Sequence, residues 1–154
     1  MKKILFALLS VLLVAACFPK LPAVEIPEVM NDTAFWQSEN YQGKPVLIVF
    51  MGSWCPWCKK TIPALNELQE KYGDSVEIVG AFADQTPGPV KDVIAEHGIK
   101  FKTLYNAGEA AEQLGAQGFP YAVLFNKRHT AVRIWGGYKE NFVQEASEKI
   151  DAIK

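Results

Sequence analysis

Residues Pro45 to Met51 read PVLIVFM, a run without a polar side chain. A strand with one wet face alternates apolar and polar residues. An unbroken apolar run of this length predicts a strand buried on both faces, at the centre of a sheet covered on each side. The run is followed within a few residues by a helical stripe. From Pro56 to about Tyr72, apolar residues recur at Ile62, Leu65, Leu68 and Tyr72, and Gly73 closes the segment. Ser75 to Ala83 predicts a second central strand, Val90 to His97 a helix ending at Gly98, Phe101 to Tyr105 a short strand, and Glu109 to Leu114 a short helix. Tyr121 to Asn126 and Thr130 to Trp135 flank Lys127-Arg128-His129 as an antiparallel hairpin, and Asn141 to Ile153 closes the chain as an amphipathic helix. Strands alternating with helices, then a hairpin and a last helix, predict an α/β fold around a mixed sheet.

The 154 residues, 49% of them hydrophobic, are enough to bury one core without staples or metals. Lys plus Arg number 16 against 17 Asp plus Glu, so no strongly basic face is available for nucleic acid. Three cysteines are too few for a stapled miniprotein or a four-cysteine zinc site. A single domain and likewise a monomer are expected.

The amino terminus stands apart. Met1-Lys2-Lys3 is basic, Ile4 to Val14 is apolar apart from Ser10, and Ala15-Ala16 precede Cys17. That order predicts an export signal over residues 1–16, too short to span a bilayer. Val14-Ala15-Ala16-Cys17 also resembles a bacterial lipobox, which implies a lipidated Cys17 as the first mature residue; cleavage after Ala16 without lipid is the alternative. Without Lys2 and Lys3 the chain carries 14 basic and 17 acidic residues, a net charge of −3. Either route places the protein outside the cytoplasm, on the periplasmic side; on the lipidated route the lipid is its membrane anchor. Three prolines between Phe18 and Val29 predict a semi-rigid tether over residues 17–29, with part of it available as an edge strand. At about 3 Å per residue it would hold a domain of residues 30–154 on the order of 30 Å from the anchor.

The chemistry lies in Trp54-Cys55-Pro56-Trp57-Cys58, at the junction of the first buried strand and its helix. A spacing of three sets both sulfurs on one side of the first helical turn, close enough to close a small disulfide ring. Cys55 stands at the helix N-terminus, where unpaired N–H groups and the macrodipole favour the thiolate. Pro56 suits the first turn because its missing N–H would be unpaired there anyway. Cys58, one turn deeper, is expected to be less exposed, so Cys55 is the nucleophile and Cys58 the resolving thiol. Two alternatives compete. Zinc needs further ligands, and only Cys17, His97 and His129 are on offer, at the anchor, a helix end and a solvated hairpin tip; no metal is expected. A purely structural disulfide closes so short a loop that it would stabilise little.

Trp-Cys-x-x-Cys after a buried strand resembles the thioredoxin superfamily. Pro63 falls eight residues after Cys55, where that family kinks its active-site helix; Gly118-Phe119-Pro120 matches its cis-proline loop, and Gly136-Gly137 its glycines after the last strand. The resemblance covers about Pro45 to Lys154. It implies a thioredoxin-like fold with a redox-active Cys55–Cys58 pair in place of a cofactor, and Pro120 beside the sulfurs. Between Asp84 and Gly118 lie 33 residues. An added β/α insertion there is similar to the membrane-anchored TlpA/ResA group of extracytoplasmic thiol-disulfide oxidoreductases. That group implies protein thiol and disulfide substrates, cytochrome c biogenesis among the candidate roles, and a membrane electron donor of the thiol-transporter type.

The sequence departs from the pattern in three places. Val49 stands where minimal thioredoxins carry a buried carboxylate, and Thr61 where some TlpA/ResA members carry a glutamate. The usual acid for the resolving thiol is therefore absent, leaving a water, Lys59 or Lys60 to act instead. Phe119 replaces a smaller residue before the proline and is expected, with Trp57, to make the substrate groove bulky and apolar. Trp54 is expected to pack and Trp57 to meet the partner. Strong oxidants of the family carry a polar residue between the cysteines, and Pro56 and Trp57 supply no such side chain, so the resemblance implies a reductant. A peroxidase and a copper-delivery module of the same fold are the alternatives; the first lacks a Thr or Arg in the motif, the second a well-placed His.

Overall fold

The computed structural model describes residues 17–154; the expected signal segment, 1–16, lies outside the described residues. The elements run β1 (Glu25–Pro27), β2 (Phe35–Gln37), a 3-10 turn (Ser38–Tyr41), β3 (Val46–Met51), α1 (Pro56–Tyr72), β4 (Glu77–Phe82), α2 (Pro87–His97), β5 (Lys102–Leu104), α3 (Gly108–Gln113), β6 (Tyr121–Phe125), β7 (Ala131–Gly136) and α4 (Phe142–Ile153). Five strands form one sheet in the order β5-β4-β3-β6-β7. β3, β4 and β5 are parallel, and β6 runs antiparallel to both its neighbours, β3 and the edge strand β7. The inserted segment between β4 and Gly118 contributes α2, β5 and α3, so the insertion supplies the parallel edge of the sheet.

The apolar run is explained by what covers each face. Successive side chains of a strand point to opposite sides. Leu47, Val49 and Met51 pack with Ile62, Leu65 and Leu68 of α1, Val90 and Val93 of α2, and Phe142 and Ile150 of α4. Val46, Ile48 and Phe50 pack the other way, against Ala110 and Ala111 of α3 and against Leu21, Ile26 and Trp36 from the N-terminal segment. Each large aliphatic or aromatic side chain so buried contributes about 1.5–3 kcal/mol relative to leaving it wet.

That second face corrects the tether. Residues 17–29 are not a free spacer: from Pro19 onward the segment is part of the domain. The Pro19 carbonyl accepts from Ala131 N–H at 2.8 Å, Leu21 N–H donates to the His129 carbonyl at 2.9 Å, and Val29 is fully buried. α3 alone covers too little of β3, and Leu21, Ile26 and Trp36 complete the cover. The edge strand is realised as β1, paired with β2. β2 and the 3-10 turn answer to no sequence signal, because three or four residues are too few to show a period.

Gly73 also ends α1 differently from expectation. Its φ is −55°, not left-handed, and its N–H donates to the Gln69 carbonyl at 2.9 Å. A Cβ there would stand 2.6 Å from the same carbonyl oxygen, so close approach, not a left-handed turn, is what favours glycine.

Candidate active site

β3 delivers the chain to the carboxyl edge of the sheet, and residues 52–55 turn it into α1. Cys55 is the N-cap of that helix, and its Sγ accepts from Cys58 N–H at 3.1 Å. The sulfur thus occupies the place where a capping serine or aspartate oxygen would satisfy a free N–H. Cys55 and Cys58 are joined as a disulfide, with Cα atoms 5.2 Å apart. Cys55 is 8% exposed and Cys58 1%, the order expected. Pro56 is the first residue of the helix. Pro63 lies within it on the exposed side, where the carbonyl that loses its partner can turn to water.

Across the disulfide stands Phe119-Pro120, joined by a cis bond as expected. The Phe119 carbonyl oxygen lies 3.7 Å from Cys55 Sγ. Around this edge is a rim of exposed rings. Trp57 is 52% exposed, with its ring centroid 5.4 Å from that of Tyr138 and the Lys60 ammonium 4.4 Å from its centre. Trp57, Phe119, Gly137 and Tyr138 line a groove of about 300 Å³. A second depression beside it is bounded by Gly115, Gln117, Gly118 and Tyr121. The Tyr121 hydroxyl donates to the Leu114 carbonyl at 2.9 Å, and burial raises its pKa, so it stays a neutral donor.

Two expectations change here. Trp54 does not pack inside: it is 61% exposed, meets Phe119 edge-on at 6.5 Å, and lies over Gly52, where a Cβ would collide with the indole at 2.7 Å. The hairpin tip is not solvated at His129, which is buried; Gln42 Nε2 donates to its Nδ1 at 3.3 Å and its Nε2 donates to the Tyr41 carbonyl at 2.9 Å. That ring sits at the opposite end of the sheet from the disulfide. Val49 and Thr61 are both buried, and the Thr61 hydroxyl donates to the Trp57 carbonyl at 2.9 Å; a buried carboxylate that the sequence did not point to stands at the turn before Cys55. Asp84, two residues past β4, accepts from Ser53 N–H at 2.9 Å and from the Ser53 hydroxyl. No spacing in the sequence ties Asp84 to the motif; only the parallel pairing of β3 and β4 brings their ends together. Tyr138 was likewise missed, although it follows Gly136-Gly137 directly.

A disulfide at the N-terminus of the helix that follows the central strand, facing a cis-proline loop, defines the class of thioredoxin-like redox proteins. The chain belongs to the redoxin family, whose profile matches residues 19–145. The leader matches the prokaryotic membrane lipoprotein lipid attachment site over residues 1–17. Among curated relatives, the thiol-disulfide oxidoreductase ResA of Bacillus thuringiensis subsp. konkukian is 31% identical over 115 residues, covering 73% of this chain and 66% of the relative. The ResA of Halalkalibacterium halodurans is 28% identical over 112 residues, covering 71% and 64%. The chain therefore aligns with just under two thirds of the length of these relatives. The fold is shared with a secreted Mycobacterium tuberculosis disulfide oxidoreductase homologous to E. coli DsbE, with a TM-score of 0.72, 19% identity and coverage of 84% and 96%. A DsbF homologue from Corynebacterium diphtheriae gives 0.77, 21% identity and coverage of 88% and 87%.

Proposed function

We propose that the protein is a thiol-disulfide oxidoreductase that reduces disulfides of other proteins outside the cytoplasm. The observation that carries this reading is the asymmetric pair, Cys55 at the helix N-terminus under an exposed aromatic rim and Cys58 buried behind it. In the reduced protein the Cys55 thiolate attacks one sulfur of a substrate disulfide. That bond breaks, its other sulfur leaves as a thiolate, and a mixed disulfide forms. Cys58 then attacks the Cys55 sulfur, releasing the second substrate thiol and closing the Cys55–Cys58 disulfide. A membrane electron donor of the thiol-transporter type returns the two electrons, and apocytochrome haem-attachment cysteines are one fitting substrate.

Pro120 holds the loop beside the sulfurs, and Phe119 and Trp57 contact an extended substrate segment. Tyr138 completes a slot for an apolar side chain next to the substrate cysteine. Pro56 and Pro63 shape the helix, and Trp54 shields the disulfide from the outer side. Asp84 is a positioning residue: by engaging Ser53 it fixes the turn that presents Cys55. Lipid on Cys17 anchors the protein at the membrane, where it works as a monomer. Between the cysteines only a proline and an indole are present, so the thiolate lacks the polar partner of strong oxidants. A potential of about −200 to −270 mV is expected, against about −120 mV for the strongest oxidant.

The test is capture. The Cys58→Ser variant should accumulate mixed disulfides through Cys55, identifiable by mass spectrometry, while Cys55→Ser should capture none. Equal alkylation rates of the two reduced thiols near neutral pH would overturn the assigned roles. A redox titration above about −150 mV would overturn the direction.

A further inference from the structure

The end of the sheet opposite the disulfide has a composition of its own. Phe125 pairs with Val46 and Ala131 with Phe125, so the β6–β7 turn lies at the amino end of β3, while the disulfide lies beyond its carboxyl end. The chain from Cys17 reaches the fold at that same turn, through Pro19 and Lys20. Two residue steps, with a reach of about 7 Å, take the chain from Cys17 to Pro19, where its first backbone bond is made. Around this point Lys20, Lys127 and Arg128 are exposed and carry no ion-pair partner among the described residues. Lys44 is nearby but engaged by Glu77 at 4.0 Å, and Glu39 is the exposed acid of the adjoining 3-10 turn. Phe18, 59% exposed, stands between Cys17 and the cations.

We infer that this end of the domain docks on an anionic lipid surface, with Phe18 in the headgroup boundary and Lys20, Lys127 and Arg128 on lipid phosphates, so that the disulfide points away from the membrane. The inference rests on the lipid anchor proposed above. Its own support is local: a chain of net negative charge gathers three unpaired cations at the point where its anchor leaves the fold. A lipid anchor with a polybasic patch gives the two signals that stable membrane attachment needs. His129 makes the arrangement rigid, since its carbonyl holds Leu21 and its ring holds the Tyr41–Gln42 corner. β3 is six residues long, so the sheet raises Cys55 about 20 Å above the docked end. The thiols of its partners must then lie in domains standing clear of the bilayer, not within it.

The test reconstitutes the lipidated full chain in vesicles of phosphatidylcholine with or without phosphatidylglycerol, and measures acetylation of surface amines by mass spectrometry. With phosphatidylglycerol, labelling of Lys20 and Lys127 should fall about fivefold and labelling of Lys60 should not change, the protection disappearing at about 0.5 M salt. The K127Q/R128Q variant should lose the protection at Lys20 while reducing insulin at the wild-type rate. Protection of Lys59 and Lys60, equal labelling in both vesicle types, or protection of Lys20 without vesicles would each overturn the inference; the last would indicate a protein partner. The mass of the N-terminal peptide and the insulin assay report separately on the anchor and on the oxidoreductase reading.

Discussion

The two ends of the sheet are built from the same strands yet have little chemistry in common. At the carboxyl end of β3, rings and sulfur dominate: Trp54, Trp57, Phe119 and Tyr138 stand around the disulfide, and the Phe119 carbonyl faces it. At the amino end a buried imidazole ties three chain segments together, and cations stand free around it. Between them lies a strand with no exposed residue. The difference teaches that a dry core stands between the end proposed to recognise thiols and the end proposed to attach to the membrane. Changes at one end should therefore leave the other untouched, and the substitutions made at the two ends are ways to break that claim.

The largest effect is expected at the sulfurs. Cys55→Ser should abolish insulin reduction while leaving the thermal midpoint within a few degrees, because a three-residue ring adds little stability. A loss of fold on this change would show that the disulfide is structural. Next come the rings. Phe119→Ala and Tyr138→Ala each empty one wall of the groove, and should raise KM for a protein substrate about 5- to 10-fold, equivalent to about 1–1.4 kcal/mol, with kcat nearly unchanged. A fall in kcat at constant KM would show that these rings act on the exchange step itself.

How much of this was legible beforehand follows from the range of the interactions. The motif, its helix and the buried strand are local: Cys55 and Cys58 sit one turn apart, and PVLIVFM declares its burial in seven consecutive letters. The cis-proline loop was legible only through family likeness, since nothing in Gly118-Phe119-Pro120 alone points to Cys55. Asp84 and His129 were read wrongly or not at all because their partners are 31 and 87 or 88 residues away. The N-terminal segment misled for another reason. Its prolines signal an extended chain, and it is extended, but Leu21, Ile26 and Val29 at its inward positions are what decide that it lies on the domain.

Asp84 and His129 make a matched pair for testing the separation. Asp84→Ala leaves the Ser53 N–H and hydroxyl without their buried acceptor, a cost of about 1–3 kcal/mol, or roughly 3 °C of thermal midpoint per kcal/mol. It should also slow exchange severalfold, because the turn before Cys55 loses its tie. His129→Asn should cost a similar amount. Asparagine tolerates the left-handed backbone at this position (φ 57°), so the loss reflects the bonds to Gln42 and Tyr41. Its exchange rate should stay within about twofold of wild type. Equal slowing by both variants would mean that the core does couple the two ends.

The smallest effect belongs to neither end. Glu145 of α4 accepts from Trp135 Nε1 at 2.8 Å, from Asn141 Nδ2 at 2.8 Å and from Arg133 at 3.1 Å, joining β7 to the last helix. These donors, the Trp135 indole first, hold its carboxyl below the ordinary glutamate range. A carboxylate whose pKa is lowered on folding adds stability that is complete above its unfolded value, about 4.3, and is lost as pH falls through the folded one. Glu145→Gln removes that contribution at neutral pH and leaves nothing to lose in acid. The difference in thermal midpoint between wild type and Glu145→Gln should therefore be greatest near pH 7, smaller there than the His129→Asn effect, and should shrink steadily below pH about 4. A difference that stays constant down to pH about 3 would mean that the amide's shape, not the carboxylate's charge, is what Trp135 and Arg133 require.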